Sequence, residues 1–214
     1  MKSAVIVTRQ RLSGGSSSSR EKLLSDVASE VAVCTKCALW RSRRNAVPGE
    51  GSLRARAMFI GEAPGSSEDV EGRPFVGAAG RFLETLLLGI GLSREDVFIC
   101  NIVKCRPPRN RVPKPVEVET CTPYLQRQIK IIKPEFLVTL GNCSTDYILS
   151  RAHLPFSGIT SVHGQFHQVS LDGASVKVFS TFHPAAALYD AKYKDQLISD
   201  FDILKKELRR EQTA

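Results

Sequence analysis

The sequence lacks any long apolar run. Its 214 residues contain no stretch of eighteen consecutive apolar residues, and no apolar segment follows the charged start of the chain. A membrane-spanning helix needs about 20 apolar residues, and a secretory signal needs an apolar core behind a positively charged start. These absences predict an intracellular, soluble protein with no membrane partner.

Acidic residues are scarce relative to basic ones. The chain has 22 Asp and Glu against 30 Lys and Arg, which gives a formal net charge of +8. Residues 101–114 contain five bases and no acid, and residues 41–56 contain five arginines against Glu50. Positive charge concentrated in short segments is typical of proteins that bind a polyanion such as nucleic acid. A solvated, charged surface is the alternative interpretation.

The cysteines do not form the two close pairs that a structural zinc site usually has. Cys34 and Cys37 are a C-x2-C pair, but Cys105 lies in a basic, proline-rich loop and Cys121 in a predicted helix. Two neighbouring and two scattered thiols suit a four-thiolate iron–sulfur cluster at least as well as zinc. The spacing alone therefore leaves iron–sulfur, zinc and unligated thiols as alternatives.

The two remaining cysteines are expected to lie outside any metal site. Cys100 belongs to the apolar run "VFIC" and is predicted to pack in the core, as free cysteines commonly do. Cys143 is predicted at the start of a helix, where the helix dipole would lower the pKa of its thiol.

Short apolar runs alternate with segments of helical spacing. The runs predict three buried parallel strands at residues 55–61, 96–103 and 134–141, and a β-hairpin at residues 161–182 that turns at Asp172 and Gly173. Apolar periodicity predicts helices over residues 19–34, 78–91, 115–133 and 194–210. The alternation predicts one three-layer α/β/α domain at residues 20–214 with a mostly parallel central sheet, behind a flexible tail at residues 1–19.

Chemically distinctive residues stand where the predicted strands end. Gly61 begins a glycine-rich segment after the first strand, and Asn101 ends the second. Gly141 and Asn142 follow the third strand, and His183 follows the last. Because ligands of parallel sheets bind beyond the carboxyl ends of the strands, we expect these residues to share one site.

The segment "GEAPGSSEDVEGRPFVGAAG", residues 61–80, combines five of the fifteen glycines with four acids. It lacks the Lys-Ser/Thr pair that ends a P-loop, and its carboxylates would repel phosphate. A nucleotide-binding enzyme that uses this segment as a phosphate cradle is therefore disfavoured.

Six motifs occur in a fixed order over residues 20–208: "CTKC", the glycine-rich segment, "NIVKCRPPRNRVP", "ETCTPYLQRQI", "TLG" and "FHPAAAL". Together they resemble the family-4 uracil-DNA glycosylases, an iron–sulfur branch of the uracil-DNA glycosylase superfamily. The resemblance implies that superfamily's fold and a monofunctional enzyme of the cytoplasm or nucleoid. Such an enzyme flips uracil out of DNA and hydrolyses its N-glycosidic bond, leaving an abasic site for base-excision repair.

The resemblance also implies a set of site residues and a monomeric state. One four-iron, four-sulfur cluster would bind the four cysteines of the ordered motifs, which are Cys34, Cys37, Cys105 and Cys121. Phe75 resembles the aromatic residue that stacks on uracil, and His183 the donor to uracil O2.

The hydrogen-bonding pattern of Asn101 suits uracil. Its amide offers a donor for uracil O4 and an acceptor for uracil N3–H, and cytosine has the opposite pattern at both positions. Backbone N–H groups of Gly61 and Glu62 are expected near the base edge, because glycine permits close approach. Glu62 matches the motif acid of the family, and Glu68 is a second candidate to position the attacking water.

Three departures from related patterns bear on function. Ala63 provides no polar group where other branches of the superfamily hold the water with Asp or Asn. No histidine lies between Asn101 and Cys121, where a related branch forms a covalent adduct, so we expect turnover. Leu188 and Tyr189 stand where many family members have leucine and arginine, which makes them candidates for the wedge that opens the base stack. The alternative function is a non-catalytic, metal-stabilised nucleic-acid-binding protein.

Overall fold

A computed structural model describes residues 16–211 of the protein. Its strands are β1 Glu50–Gly51, β2 Ala57–Gly61, β3 Phe98–Asn101, β4 Phe136–Leu140, β5 Gln165–Leu171 and β6 Ala174–Thr181. Its helices are α1 Ser16–Val33, α2 Ser66–Glu71, α3 Ala78–Gly89, α4 Pro115–Ile132, α5 Asn142–Arg151, α6 Ile159–Val162 and α7 Ala191–Arg210. No helix in this part of the chain is long and apolar enough to cross a membrane.

The six strands form one mixed sheet in the order β1-β3-β2-β4-β6-β5. Strands β3, β2, β4 and β6 run parallel, while β1 and β5 pair antiparallel at the two edges. Every residue of β2, β3 and β4 is buried, as expected for parallel strands covered on both faces. The prediction of a mostly parallel sheet is confirmed.

Side chains of each central strand alternate between two cores. In β2, Met58 and Ile60 belong to one apolar cluster, which includes residues of α1, α4 and α5. Ala57 and Phe59 belong to a second cluster, which includes residues of α3 and α7. Because successive residues of a strand face opposite sides, this pattern places helices on both faces of the sheet. The predicted three-layer α/β/α architecture is confirmed.

The carboxyl ends of the parallel strands meet at one edge of the sheet. Gly61 of β2 is in register with Asn101 of β3, and Leu140 of β4 is in register with Thr181 of β6. The chain leaves β2 towards β3 on one side and leaves β4 towards β6 on the other. Such a divergence opens a crevice between the strand ends, which is where α/β sheets bind ligands.

Two local predictions have different outcomes. The hairpin turns at Asp172 and Gly173, whose φ angles of 51° and 82° are both positive as its tight turn requires. Helix α1 begins at Ser16 and not at the predicted Ser19. Serine is only modestly less helix-favouring than most residues, so the serine run extends the helix. Residues 1–15 of the predicted tail lie outside the described residues.

Candidate active site

The centre of the site is a close contact at the end of β2. A Cβ atom added to Gly61 would lie 2.4 Å from Asn101 Oδ1 and 2.6 Å from Phe75 Cζ. At such distances any side chain here would displace the Asn101 amide or the Phe75 ring, which glycine leaves in place. Asn101 and Phe75 are both buried, with 2% and 5% of their surface exposed, respectively. The structure thus brings together three residues that the sequence placed in the site.

The side-chain oxygen of Asn101 is buried without a partner. Among the described residues, no group donates a hydrogen bond to Asn101 Oδ1. A buried polar atom left unsatisfied costs about 1–3 kcal/mol, and such atoms in folded proteins call for an explanation in terms of function or a bound group. The backbone here is fixed, because Ile102 N–H donates to Gly61 O and Lys104 Nζ donates to Asn101 O. The strand end that carries the unpaired oxygen is therefore held in place.

His183 lies directly against Phe75 at the same edge of the sheet. The two rings are stacked, with centroids 5.5 Å apart and an interplanar angle of 27°. Gly141, after β4, has a φ of 89°, and a Cβ added to it would approach His183 Cβ to 3.0 Å. Glycine at this position therefore lets the β4 end and the histidine come into contact.

The protonation state of His183 follows from its contacts. Its Nδ1 accepts a hydrogen bond of 3.1 Å from Ala185 N–H at the start of the 3₁₀ turn Pro184–Leu188. Burial lowers the pKa of His183 to about 4, against a smaller opposite effect of the Glu68 charge. The ring is neutral at pH 7, and because Nδ1 is an acceptor, Nε2 carries the proton. His183 is thus a neutral donor.

Glu68 is engaged by the backbone of the glycine-rich segment. Its carboxylate accepts hydrogen bonds of 2.9 to 3.1 Å from the N–H groups of Gly65, Val76 and Gly77. It occupies the third position of α2, and its bond from Gly65 N–H is the glutamate half of a capping box. This carboxylate therefore holds the two ends of the segment together.

Glu62 has a different environment. It is half-buried, and burial raises the pKa of its carboxyl group. No described residue donates a hydrogen bond to its side chain, while its main-chain oxygen accepts from Val103 N–H and thereby extends the β2–β3 pairing. Of the two acids that the sequence singled out, Glu62 is the one whose carboxylate is available to a ligand.

Cys143 corrects one prediction and Cys100 confirms another. Burial first, and then the Glu62 and Asp146 charges, raise the pKa of the Cys143 thiol to about 12. The predicted lowering at a helix start is wrong, because burial and nearby carboxylates disfavour the thiolate there. Cys100 is fully buried in the core, as predicted.

Two exposed apolar residues follow the histidine. Leu188 ends the 3₁₀ turn and is 49% exposed, and Tyr189 is 90% exposed. Asp190 then caps α7 by accepting a hydrogen bond from Lys192 N–H. The two predicted wedge residues are therefore exposed to solvent at the end of the turn that follows His183.

Cys34, Cys37, Cys105 and Cys121 all line one cavity. Helix α1 brings the first pair there, anchored by Arg20, which donates to the Ile131 and Ile132 carbonyl groups at the end of α4. Two donors point at the sulfurs: Arg43 Nη1 lies 2.9 Å from Cys105 Sγ, and Lys104 N lies 3.2 Å from Cys121 Sγ. Within the described residues, no three metal-binding side chains converge tightly enough for a metal ion. The thiols instead surround a shared space.

Several bases of the two basic segments are engaged by other groups of the protein. Lys104 is 1% exposed and donates to Asn101 O and Gln128 Oε1. Arg56 pairs with Glu135, and Arg111 pairs with the buried Glu117. Their charges serve the fold. The exposed bases of the two segments are Arg41, Arg44, Arg54, Arg109 and Lys114.

Sequence reasoning missed two buried polar groups near the site. His163 has its Nδ1 3.1 Å from the buried carboxylate of Asp200. Asp69 is also buried, and it accepts a hydrogen bond from Arg44 N–H. In each of these two pairs the partners are far apart in the chain, so no local sequence pattern indicates the contact.

Comparison with known proteins agrees with this geometry. The family model of the uracil DNA glycosylase superfamily matches residues 48–202. The chain is 51% identical to the type-4 uracil-DNA glycosylase of Saccharolobus solfataricus over 85% of both chains. It is 52% identical to that of Sulfurisphaera tokodaii, over 83% of this chain and 81% of the relative, and 45% identical to that of Thermotoga maritima, over 79% and 85%. The chain therefore belongs to the uracil-DNA glycosylase superfamily and, within it, to the type-4 uracil-DNA glycosylases.

Proposed function

We propose that this protein excises uracil from DNA by hydrolysing the N-glycosidic bond, which leaves an abasic site. Family membership supports the reaction, and the unpartnered Asn101 Oδ1 in a rigid crevice is the structural observation that carries it. The alternative function, non-catalytic binding of nucleic acid, is not favoured, because the relatives of this chain named above are glycosylases. The substrate is DNA that carries uracil inside the cell.

Asn101 discriminates uracil from cytosine. Uracil N3–H donates to Oδ1, the acceptor that has no partner among the described residues, and the amide N–H donates to uracil O4. Cytosine presents an acceptor at N3 and a donor at N4, so both hydrogen bonds are lost and polar groups stay buried without partners. The Lys104 ammonium donates to the main-chain oxygen of Asn101 and holds the strand end that carries this amide.

His183 stabilises the departing base. As the glycosidic bond breaks, negative charge develops on uracil O2, and a donor placed in advance lowers the barrier. The neutral ring with its proton on Nε2 donates this hydrogen bond without a change of protonation state. Phe75, stacked against His183, provides the apolar surface on which the flipped base lies.

Glu62 positions the attacking water and stabilises the cationic sugar. Its half-buried carboxylate has no protein donor among the described residues, so it is available to accept from water. Glu68 acts less directly, because three backbone N–H groups occupy its oxygens. It holds the glycine-rich segment in shape and thus places Gly61 and Glu62 near the base.

Binding to DNA supplies the energy for flipping. Unstacking and unpairing a nucleotide costs on the order of a few kcal/mol. The exposed Leu188 and Tyr189 fill the gap in the stack, and the exposed bases beside the cysteine cavity contact phosphates. One chain carries all these groups, so a monomer suffices for the reaction.

The four cysteines around the cavity hold one four-iron, four-sulfur cluster. The four thiols surround one shared space, and among the described residues no three of them close on a single ion. N–H groups of Arg43 and Lys104 donate hydrogen bonds of the kind that thiolate ligands accept. Lys104 adds a buried positive charge beside a centre that thiolates make negative. When bound, the cluster ties the start of the chain to the "NIVKCRPPRNRVP" loop and α4.

The excision proposal is tested with two oligonucleotides that differ only in one uracil or cytosine. We expect alkali-labile abasic sites from the uracil strand alone. We expect Asn101→Ala to lower the single-turnover rate by at least about 10²-fold, because one recognition amide is lost. Asn101→Asp should also be slow, because a carboxylate has no donor for O4. Thermal unfolding checks that both variants fold. The proposal is refuted if the wild-type protein produces no alkali-labile site in the uracil strand.

The neutral state of His183 has a consequence for stability. Its folded pKa of about 4 lies below the unfolded value of 6.5, so on acidification the unfolded chain takes up the proton first. The stability that neutral His183 contributes is complete above pH 6.5 and is lost between about pH 6.5 and pH 4. We expect the unfolding free energy of wild type relative to His183→Gln to fall by up to about 3 kcal/mol across this window.

Chemical denaturation of both proteins at several pH values measures this difference. A difference that is constant from pH 6.5 to pH 4 would mean that folding does not lower the pKa of His183.

The cluster proposal is tested by iron and acid-labile sulfide analysis of the purified protein. We expect both at the stoichiometry of one cluster per chain, and brown colour. Cys121→Ser should lower the iron content and colour, because one thiolate ligand is lost. Cys143→Ser is the matched control, since Cys143 does not line the cavity, and it should keep the full content. Stoichiometric zinc in place of iron contradicts the proposal.

A further inference from the structure

Phe75 is held in an unusual backbone conformation. Its φ is 51°, in the left-handed region, which bulky residues rarely adopt. Strained residues of this kind persist where the surroundings over-determine them, and they cluster at functional sites. Specific contacts are therefore expected to hold the Phe75 backbone in this conformation.

Arg94, in the loop between α3 and β3, grips this backbone. Its Nη1 donates to Phe75 O at 2.9 Å and its Nη2 donates to Pro74 O at 2.6 Å. The side chain is 11% exposed and also forms an ion pair with Glu50. A planar guanidinium presents several donors in a fixed geometry, so it sets the orientation of both carbonyl groups.

Glu50 connects Arg94 to the sheet. It lies in β1, in register with Ile99 of β3, the strand that ends at Asn101. Burial alone would raise the pKa of Glu50, but hydrogen bonds from Arg73 and Arg94 hold it below its usual value. Glu50 is therefore ionised, and it fixes Arg94 relative to the strand that carries Asn101.

Helix α3 closes on Phe75 from another direction. A Cβ added to Gly80 would lie 1.9 Å from Phe75 O, so the first turn of α3 presses against the same carbonyl group. The ring end touches Gly61, and the ring face lies on His183. Arg94 supplies the polar contacts of this arrangement, while glycines allow the close packing.

We propose that Arg94, oriented by Glu50, is a positioning residue that fixes the Phe75 ring against the flipped base. The inference rests on the proposed stacking role of Phe75 and extends it to a charged pair that does not touch the base. Without Arg94, the backbone at Phe75 relaxes towards negative φ and the ring turns away from the pocket.

The protein itself offers a matched control. Arg73 pairs with the same Glu50 at 2.8 Å, but its side chain is 56% exposed and it makes no described contact with Phe75. Arg94→Gln and Arg73→Gln therefore remove the same charge from the same carboxylate, and only the first frees the Phe75 carbonyl group. Arg94→Lys keeps the ion pair but loses the planar fork.

The experiment measures single-turnover uracil excision and inhibition by free uracil for each variant, alone and combined with Phe75→Ala. We expect Arg94→Gln to slow excision and weaken inhibition by roughly tenfold, within the range that base stacking provides. Arg73→Gln should remain within about twofold, and Arg94→Lys should be intermediate. With Phe75→Ala already present, Arg94→Gln should cause no further change, because the two residues act through one contact.

The inference is overturned if Arg94→Gln behaves like Arg73→Gln, or if its effect multiplies with that of Phe75→Ala. Should Arg94→Gln fail to fold, Arg94→Lys is measured with the same two readouts, and wild-type values for it overturn the inference. If wild type excises no uracil, the proposed function itself fails. If wild type is active and Phe75→Ala leaves inhibition unchanged, the stacking role fails and the inference with it.

Discussion

The site depends on a steric constraint at the end of β2. Gly61 has the Asn101 amide and the Phe75 ring against the position that a Cβ would occupy, at 2.4 Å and 2.6 Å. The parallel register of β2 with β3 places Gly61 beside Asn101. The glycine-rich segment then brings the Phe75 ring back against Gly61. Recognition and stacking surfaces therefore meet because one residue has no side chain. A methyl group there would displace both.

The cysteine cavity and the base pocket form one structural unit. Lys104 lines the cavity, its main-chain N–H donates to Cys121 Sγ, and its ammonium donates to Asn101 O. Gln128 of α4 accepts from the same ammonium and donates to Pro48 O. The elements that hold the four thiols thus also hold the recognition amide. Lys104 is therefore a buried link between the two regions.

The layer architecture, the parallel strands and the shared edge were predictable because they depend on apolar periodicity and on the rule for strand ends. The glycine-rich segment was less so. Glu68 accepts a hydrogen bond from Val76 N–H, 8 residues away, and Asp69 accepts one from Arg44 N–H, 25 residues away. A sequence does not reveal such contacts. The burial of Lys104 and the His163–Asp200 contact likewise arise from tertiary packing. The charge pattern also did not indicate that Arg56 and Arg111 pair with Glu135 and Glu117.

The central claim is that the unpartnered oxygen of Asn101 is the acceptor for uracil N3–H. A crystal structure of the protein with abasic DNA and free uracil tests it most directly. The account predicts uracil N3 about 3 Å from Asn101 Oδ1, O4 near the amide nitrogen and the ring on Phe75. Uracil bound elsewhere, or bound in the crevice with Asn101 Oδ1 still unpaired, would contradict it.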